Sequence, residues 1–349
     1  TEFTGEGRPE FFVQDVPPIG DIEITRPEIY YGENTTEYVI VNTNTEEFDH
    51  PTEENVPAYV RYQGRGGVNL SSYLRKVVYA WQLGDVNILI SGEITSESKI
   101  QYNRHIQERI HKVAPFLVLD RDPYLVVEEG GLFWVQDAYT VSSKYPYSQP
   151  FNGEFNYIRN SVKVVVDAFH GDIEFYVMDP ADPIVQTYRE IFPALFKDLE
   201  EMSPFLLSHL RYPEDLFSIQ AELFLQYHMT DPTVFFNKED QWSIPLEISF
   251  GAQQPMEPYY VIMRLPDEEK AEFVLILPFT PAEKPNMIAW LAARMDQPNY
   301  GKLLAFRFPR GEQIDGPIQV EARIDNDTEI SQQFTLWDQG GSLVDRGNL

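Results

Sequence analysis

The sequence predicts an α+β fold in which antiparallel β-hairpins build a sheet and helices are inserted between them. Two stretches, Pro123–Tyr139 and Ser161–Met178, each join strands rich in Val, Ile and aromatic residues through a short polar turn containing glycine. Helical spacing of apolar residues recurs outside them, most plainly over Pro213–His228, where Leu216, Ile219, Leu223 and Leu225 repeat and Glu214 and Asp215 suit a helix start. With 43% hydrophobic residues in 349, the chain has enough apolar mass for a sizeable core, which excludes wholesale disorder.

Taken in order, Glu10–Val16, Glu28–Tyr31, Glu37–Val41 and Ala58–Tyr62 read as short strands, with Asn34–Thr36 and Asp49-His50-Pro51 as turns between them. Gly64–Gly67 is a flexible turn that lacks the strand, spacing and helix of a phosphate-binding loop. Helices are expected near 70–83, with Leu74, Val77, Val78 and Trp81 on one face, and over Glu97–Lys112, with Ile100, Ile106 and Ile110 inward. The two hairpins follow, the second strongly buried because Val162, Val164, Val165 and Val166 sit nearly together, and both fall in one antiparallel sheet. Asp182-Pro183 opens a helical stretch to about Met202, kinked at Pro193. Pro204–Leu210 adds a helical turn, and residues 231–245 a further turn and loop. Tyr259–Leu265, Glu272–Pro278 and Lys302–Phe308 read as strands, Asn286–Met295 as a helix, and Pro317–Gln333 as one or two helices. The helical segment near 183–230 sets a soft boundary close to residue 180, between a β-rich part (1–180) and a mixed part (181–349). No clear linker separates the two, so one continuous unit also fits.

Charge is the sharper compositional signal. Against 27 Lys and Arg stand 55 Asp and Glu, a net charge of −28 that repels phosphate backbones and anionic lipid headgroups and makes nucleic acid an unsuitable partner. The same charge favours solubility or the attraction of cations and basic peptides. With no cysteine, disulfides, thiolate catalysis and Cys-ligated metals are excluded. No stretch approaches the roughly 20 apolar residues of a membrane helix. The end, Gly340–Leu349, reads as a hairpin cut off after the first residue of its second strand, as expected of an excised fragment.

An ordered series of runs carries a family resemblance. It comprises Asp137–Thr140, Tyr145–Ser148, Asn156–Ala168, Phe175-Tyr176, Asp182–Ile184 and Ile191–Pro193, then His209–Pro213 with Asp215–Phe217, Tyr227-His228, and Glu239-Asp240 with Trp242. Over roughly residues 70–345 this series resembles the uncharacterised protein family numbered 0182, large bacterial integral membrane proteins. The resemblance implies membrane helices that are absent from this chain, followed by a soluble region facing the periplasm or cell exterior, to which this chain is similar. It also implies an apolar strand after Leu349. His170 departs from the acidic or polar residue usual in that turn. The family supplies no catalytic residues to carry over.

Residues 204–245 concentrate the candidate chemistry. His228 with Asp231 and Asp240, and Glu239 beside them, are the candidate catalytic group, a ring with carboxylates able to orient it or share a metal. The spacing is not that of a zinc-binding His-x-x-x-His helix. The packing alternative is a buried histidine bonded to loop backbone, with Asp231-Pro232 starting a short helix and Trp242 in the core. His209, Arg211, Tyr212, Asp215 and Trp242 are the candidate binding residues, Arg211 being able to clamp a ligand carboxylate or simply Asp215. Asp325 and Asp327 are candidate metal ligands in an acidic run that lacks the glycine and distal glutamate of a calcium loop, and a helix cap at Asp327 is the plainer account. A divalent cation is the cofactor such loops would take. The aromatic and polar stretch Tyr145–Tyr157 suits a glycan platform or packed tyrosine corners.

The expected function is that of an extracytoplasmic soluble domain of a bacterial membrane protein, an interaction or ligand-binding module with an envelope protein or glycan as partner. Two alternatives are an envelope hydrolase built on the His/carboxylate or metal site, and a substrate-receiving domain of a transporter. Convergence of His228 and its carboxylates on an open cleft would mark the enzyme. Their burial, with an exposed apolar patch elsewhere, would mark the module.

Overall fold

Main-chain pairing organises the chain around two mainly antiparallel sheets, one in each of two compact units, residues 1–209 and 210–349. The structure, a computed structural model, describes residues 13–14, 19–20, 22–51, 56–249, 252–282, 284–309 and 311–338. The hairpin expected at 340–349 and most of the strand expected at Glu10–Val16 lie outside these residues. The architecture is α+β, as the sequence predicts.

In the first unit, Gly131–Ser142 pairs antiparallel with Tyr157–Asp167, with Tyr124–Glu128 and with Val118–Leu119, while Tyr157–Asp167 also pairs with Ile173–Val177. Both expected hairpins therefore form, as neighbours. The turn of the first places Glu129 and Gly130 at φ 48° and 76°. Gly130 tolerates this without strain, and a side chain there would also strike Thr25. The sheet buries Val162, Val164, Val166, Phe175 and Val177 against three side chains of the helices, Ile106, Ile110 and Val185.

The helices are α1 (Tyr73–Leu83), α2 (Asn87–Ile90), α3 (Ile106–Val113), α4 (Pro183–Ile191) and α5 (Pro204–Ser208). Three expectations change here. The helix expected over Glu97–Lys112 starts only at Ile106. Lys99–Gln101 instead forms the middle strand of a small sheet with Val39–Val41 and Val68–Asn69, because fully buried Ile100 is paired on both sides. Glu28–Tyr31 is irregular chain tied by the Tyr30 and Tyr31 amides to the Ala168 carbonyl. Pro193 ends α4 instead of kinking it, and the chain runs on into Phe196–Asp198, a strand parallel to Ile173–Val177. Val185 of α4 and Phe196 both enter the first core, so the division between the units falls after His209, whereas the sequence suggested one near 180.

The second unit holds α6 (Glu214–Tyr227), α7 (Pro232–Asn237), α8 (Pro317–Asn326) and α9 (Thr328–Asp338). Its main sheet runs Trp242–Ser243, Ala271–Pro281, Ala289–Arg294, Leu303–Arg307, with Tyr259–Arg264 also on Ala271–Pro281. The helix expected at Asn286–Met295 is a strand. Its run Ala-Trp-Leu-Ala-Ala-Arg favours a helix locally, but the segment lies between two strands with Ala289, Leu291, Ala292 and Ala293 buried, and tertiary packing overrides propensity. Phe217 and Ala221 of α6 pack on this sheet with Trp242, Leu277 and Phe279.

Candidate functional site

His228 caps the C-terminus of α6, where the helix ends one turn before Asp231 opens α7. Its side chain is 1% exposed. Nδ1 lies 2.8 Å from the Phe224 carbonyl oxygen and Nε2 2.8 Å from the Asp240 carbonyl oxygen. The ring stacks on Trp242 at 3.7 Å between centroids. The Asp240 carboxylate is 3.9 Å from Nε2, and Arg307 donates to the His228 carbonyl at 3.3 Å with its guanidinium 5.1 Å from the centre of Trp242. A base needs a free lone pair aimed at substrate. Here both ring nitrogens face main-chain carbonyls, so the ring joins the end of α6 to the loop before Trp242.

The neighbouring candidates are likewise engaged. Asp231 accepts from the amides of Thr233 and Val234, at 2.8 and 3.1 Å, as the N-cap of α7. Tyr212 is buried, donates to Gln220 at 2.8 Å and accepts at its carbonyl from Tyr260 at 2.9 Å. Arg211 lies over the Tyr260 ring at 5.2 Å. Asp215 sits in the first turn of α6, where its charge suits the helix dipole. His209 belongs to the first unit, bonded through Nδ1 to the Phe205 carbonyl at 2.8 Å and stacked on that ring. Asp325 lies within α8, and Asp327 accepts from the amides of Glu329 and Ile330, both at 3.0 Å, at the start of α9. Among the described residues no three His, Asp or Glu side chains gather closely enough to hold a metal ion. The structure thus brings together His228, Asp240 and Trp242, places Arg211 and Tyr212 together against Tyr260, and uses Asp231 and Asp327 as helix caps.

A concavity that the sequence reading missed lies in the first unit. A cleft of about 670 Å³ is lined by Glu28, Tyr30, Glu47, Asp49, His50 and Arg104 with Ile29, Val39, Ile40 and Val60. Its wall includes Glu47–Pro51, a strand paired with Pro57–Val60, where the sequence suggests a turn at Asp49-His50-Pro51. His50 Nδ1 is 3.0 Å from the Asp49 carboxylate. Glu47 accepts from the amides of Asn42 and Tyr62, at 2.6 and 3.0 Å. Arg104 donates to the carbonyls of Tyr30 and Glu37, at 2.6 and 3.1 Å. Glu28 Oε2 is buried with no partner among the described residues. Burial first, then the Glu47 and Glu28 carboxylates, hold the Tyr30 phenol above its ordinary pKa, so it stays a hydroxyl donor. The lining offers both donors and acceptors beside an apolar wall. No motif announces it, because its residues come from positions 27–60 and 104 and meet only in the folded chain, through sheet pairing and the Arg104 bonds to the Tyr30 and Glu37 carbonyls.

The most polar interior is also in the first unit. Lys163 and Asp137, on adjacent strands, form an ion pair with both side chains buried. Burial pushes the Asp137 carboxyl up, against the pull of Lys163. Asp182 caps α4 through the Ile184 amide at 3.1 Å and accepts from Thr140, Ser161 and Tyr157 at 2.5, 2.6 and 2.7 Å. Burial raises its pKa, but the hydroxyls of Ser161, Thr140 and Tyr157, with the amide, outweigh that and hold it below the ordinary value. His170 belongs to the same scaffold, accepting at Nδ1 from the Arg65 amide at 3.1 Å.

A two-unit α+β protein with its His/carboxylate cluster engaged in packing defines no reaction class by itself, and comparison with known proteins places it. The model of an uncharacterised protein family, UPF0182, matches residues 1–337. Proteins called UPF0182 protein are 56% identical in Pelotomaculum thermopropionicum, 51% in Desulforamulus reducens and 52% in Cupriavidus necator. Each alignment covers 100% of this chain and 38%, 38% and 39% of the respective relative. The chain belongs to this family, and it spans about two fifths of the length of these curated relatives. No solved structure matches it. Among the described residues no helix is long and apolar enough to cross a membrane.

Proposed function

We propose that this chain is an extracytoplasmic binding module of a bacterial envelope membrane protein, and that it holds a ligand without turning it over. One observation carries the second part. His228, the ring that a hydrolase of this cluster would need, has both nitrogens on main-chain carbonyls and its face on Trp242. The placement in the envelope is supported by the family resemblance, which implies membrane helices in the longer relatives. The cleft of the first unit is the ligand site in this reading. Its unpartnered Glu28 oxygen and the charges around it suit a ligand rich in hydroxyl or amino donors, the chemistry of envelope glycans.

The test measures thermal melting with soluble peptidoglycan fragments, alongside turnover of chromogenic ester, phosphate and glycoside substrates with and without divalent cations. Specific binding raises the midpoint with ligand concentration. The expected result is a shift that Glu28→Gln removes and no turnover. Turnover that disappears in His228→Ala would replace this reading with the hydrolase.

A further inference from the structure

We infer that the outer face of α1 and α2 is a docking surface for a phospholipid bilayer. The sequence places Leu74, Val77, Val78 and Trp81 on one face of α1, spacing that ordinarily marks a core-facing stripe. The structure turns the helix the other way. Ala80, Tyr79 and Leu83 face inward with Ile88 and Leu89 of α2, packed with Leu70 and Ile100. Leu74 and Trp81 are 71% and 85% exposed, with Val78 between them also exposed, and Tyr73, Val86 and Ile90 are 72%, 60% and 72% exposed. Six large apolar side chains within eighteen residues are thus open to solvent, although the inner side of the same helices already supplies a packed core.

Charge selects the occupant. Between Asn69 and Ser91 the charged residues are Arg75, Lys76 and Asp85, two basic and one acidic, in a chain with 27 basic and 55 acidic residues. Asp85 accepts from the Tyr38 hydroxyl and the Asn87 amide. Arg75 and Lys76 reach the carbonyls of Asn69 and Ile94, at the flanks of the helix. A helix with aliphatic and aromatic side chains on its outer face and basic residues at its margins is suited to the boundary between acyl chains and headgroup phosphates, where Trp and Tyr rings are also favoured. The net charge of −28 opposes an anionic surface at long range, but at physiological salt it is screened beyond about 8 Å, so the local composition decides the contact. The inference does not rest on the ligand cleft, none of whose lining residues lies on α1 or α2.

Co-sedimentation of the 349-residue chain with vesicles of phosphatidylcholine, alone and mixed with phosphatidylglycerol, tests it. The expected result is binding to both, tighter to the mixture. Leu74→Glu and Trp81→Glu should each weaken it about tenfold or more, from the loss of one buried apolar side chain. Arg75→Glu should remove only the preference for phosphatidylglycerol. Phe236→Glu, a control in the second unit that is 85% exposed in the native chain, should change nothing. Unaltered melting midpoints establish that the variants are folded. Failure of the folded native chain to sediment with either vesicle overturns the inference, as does binding indifferent to Leu74 and Trp81. A dimer in size-exclusion chromatography that Trp81→Glu dissociates, without vesicle binding, assigns the face to a second copy instead.

Discussion

Strands Gly131–Ser142 and Tyr157–Asp167 and the helical pair α1–α2, all in the first unit, treat polar and apolar side chains in opposite ways. The strands bury Lys163, Asp137, Ser161, Thr140 and Gln136, while the helices leave Leu74, Trp81 and Ile90 in solvent. In the strands the two buried charges partner each other through sheet register, Lys163 standing directly across from Asp137. In the helices the exposed residues lie outside the packed cluster that Ala80 and Ile88 form with Leu70 and Ile100. Residue type alone therefore does not separate inside from outside in this protein. The strands show what stability demands of a buried charge, and the helices show a surface left available for something else.

Removing one partner from the strands should have the largest effect. Lys163→Ala leaves Asp137 buried without its counter-charge, a change that typically costs about 3–5 kcal/mol. Urea denaturation of the variant checks it. The double variant Lys163→Met with Asp137→Leu should recover most of the loss, because breaking the pair, and not its absence, is what costs. Equal loss in the double variant would show that the pair contributes more than its own neutralisation.

Asp182→Ala should cost about 2–4 kcal/mol, from the lost cap of α4 and three hydroxyl donors left without their acceptor. Its pH dependence has a definite sign. The folded-state pKa of Asp182 is lowered, so its contribution is complete above the unfolded carboxylate pKa of about 3.9 and is lost as pH falls through the folded value. The gap between native chain and variant should therefore be widest near neutrality and close in acid, which melting curves across pH would show. A gap that widens in acid would reverse the assignment. The smallest effect belongs to the helical face. Trp81→Glu should change stability by no more than about 0.5 kcal/mol while weakening vesicle binding about tenfold or more, the combination that separates a docking surface from a packed one.

The His228–Trp242 contact teaches a related point about legibility. Crowding of His, Asp, Arg and aromatic residues between 204 and 245 suggests either a site or a packed core, and nothing local decides between them. The decision lies in two carbonyls, of Phe224 and Asp240, whose positions follow from where α6 ends and how the chain returns to Trp242. The cleft of the first unit was illegible for a different reason. Glu28, His50 and Arg104 are spread along the chain, and His50 reads as part of a turn until Glu47–Pro51 is paired with Pro57–Val60.

Local chemistry by itself determined much of this protein. Clustered valines at 162–166 specify a strand buried on both faces. The Glu129-Gly130 turn closes one hairpin, Asp182-Pro183 and Asp231-Pro232 start helices, and helical spacing marks α6, although the face it buries is that of Phe217 and Ala221 and Leu223 is exposed. In each case the deciding interactions lie within a few residues. Only the tertiary structure decided that Ile100 and the Ala289–Arg294 run are strands, since each is held by partners distant in sequence whose pairing outweighs a helical preference. It also decided which side of α1 faces the core. Tyr79, Ala80 and Leu83 on one side and Leu74, Val78 and Trp81 on the other are both apolar, and only the packing of α2 and Ile100 beneath the first set breaks the tie.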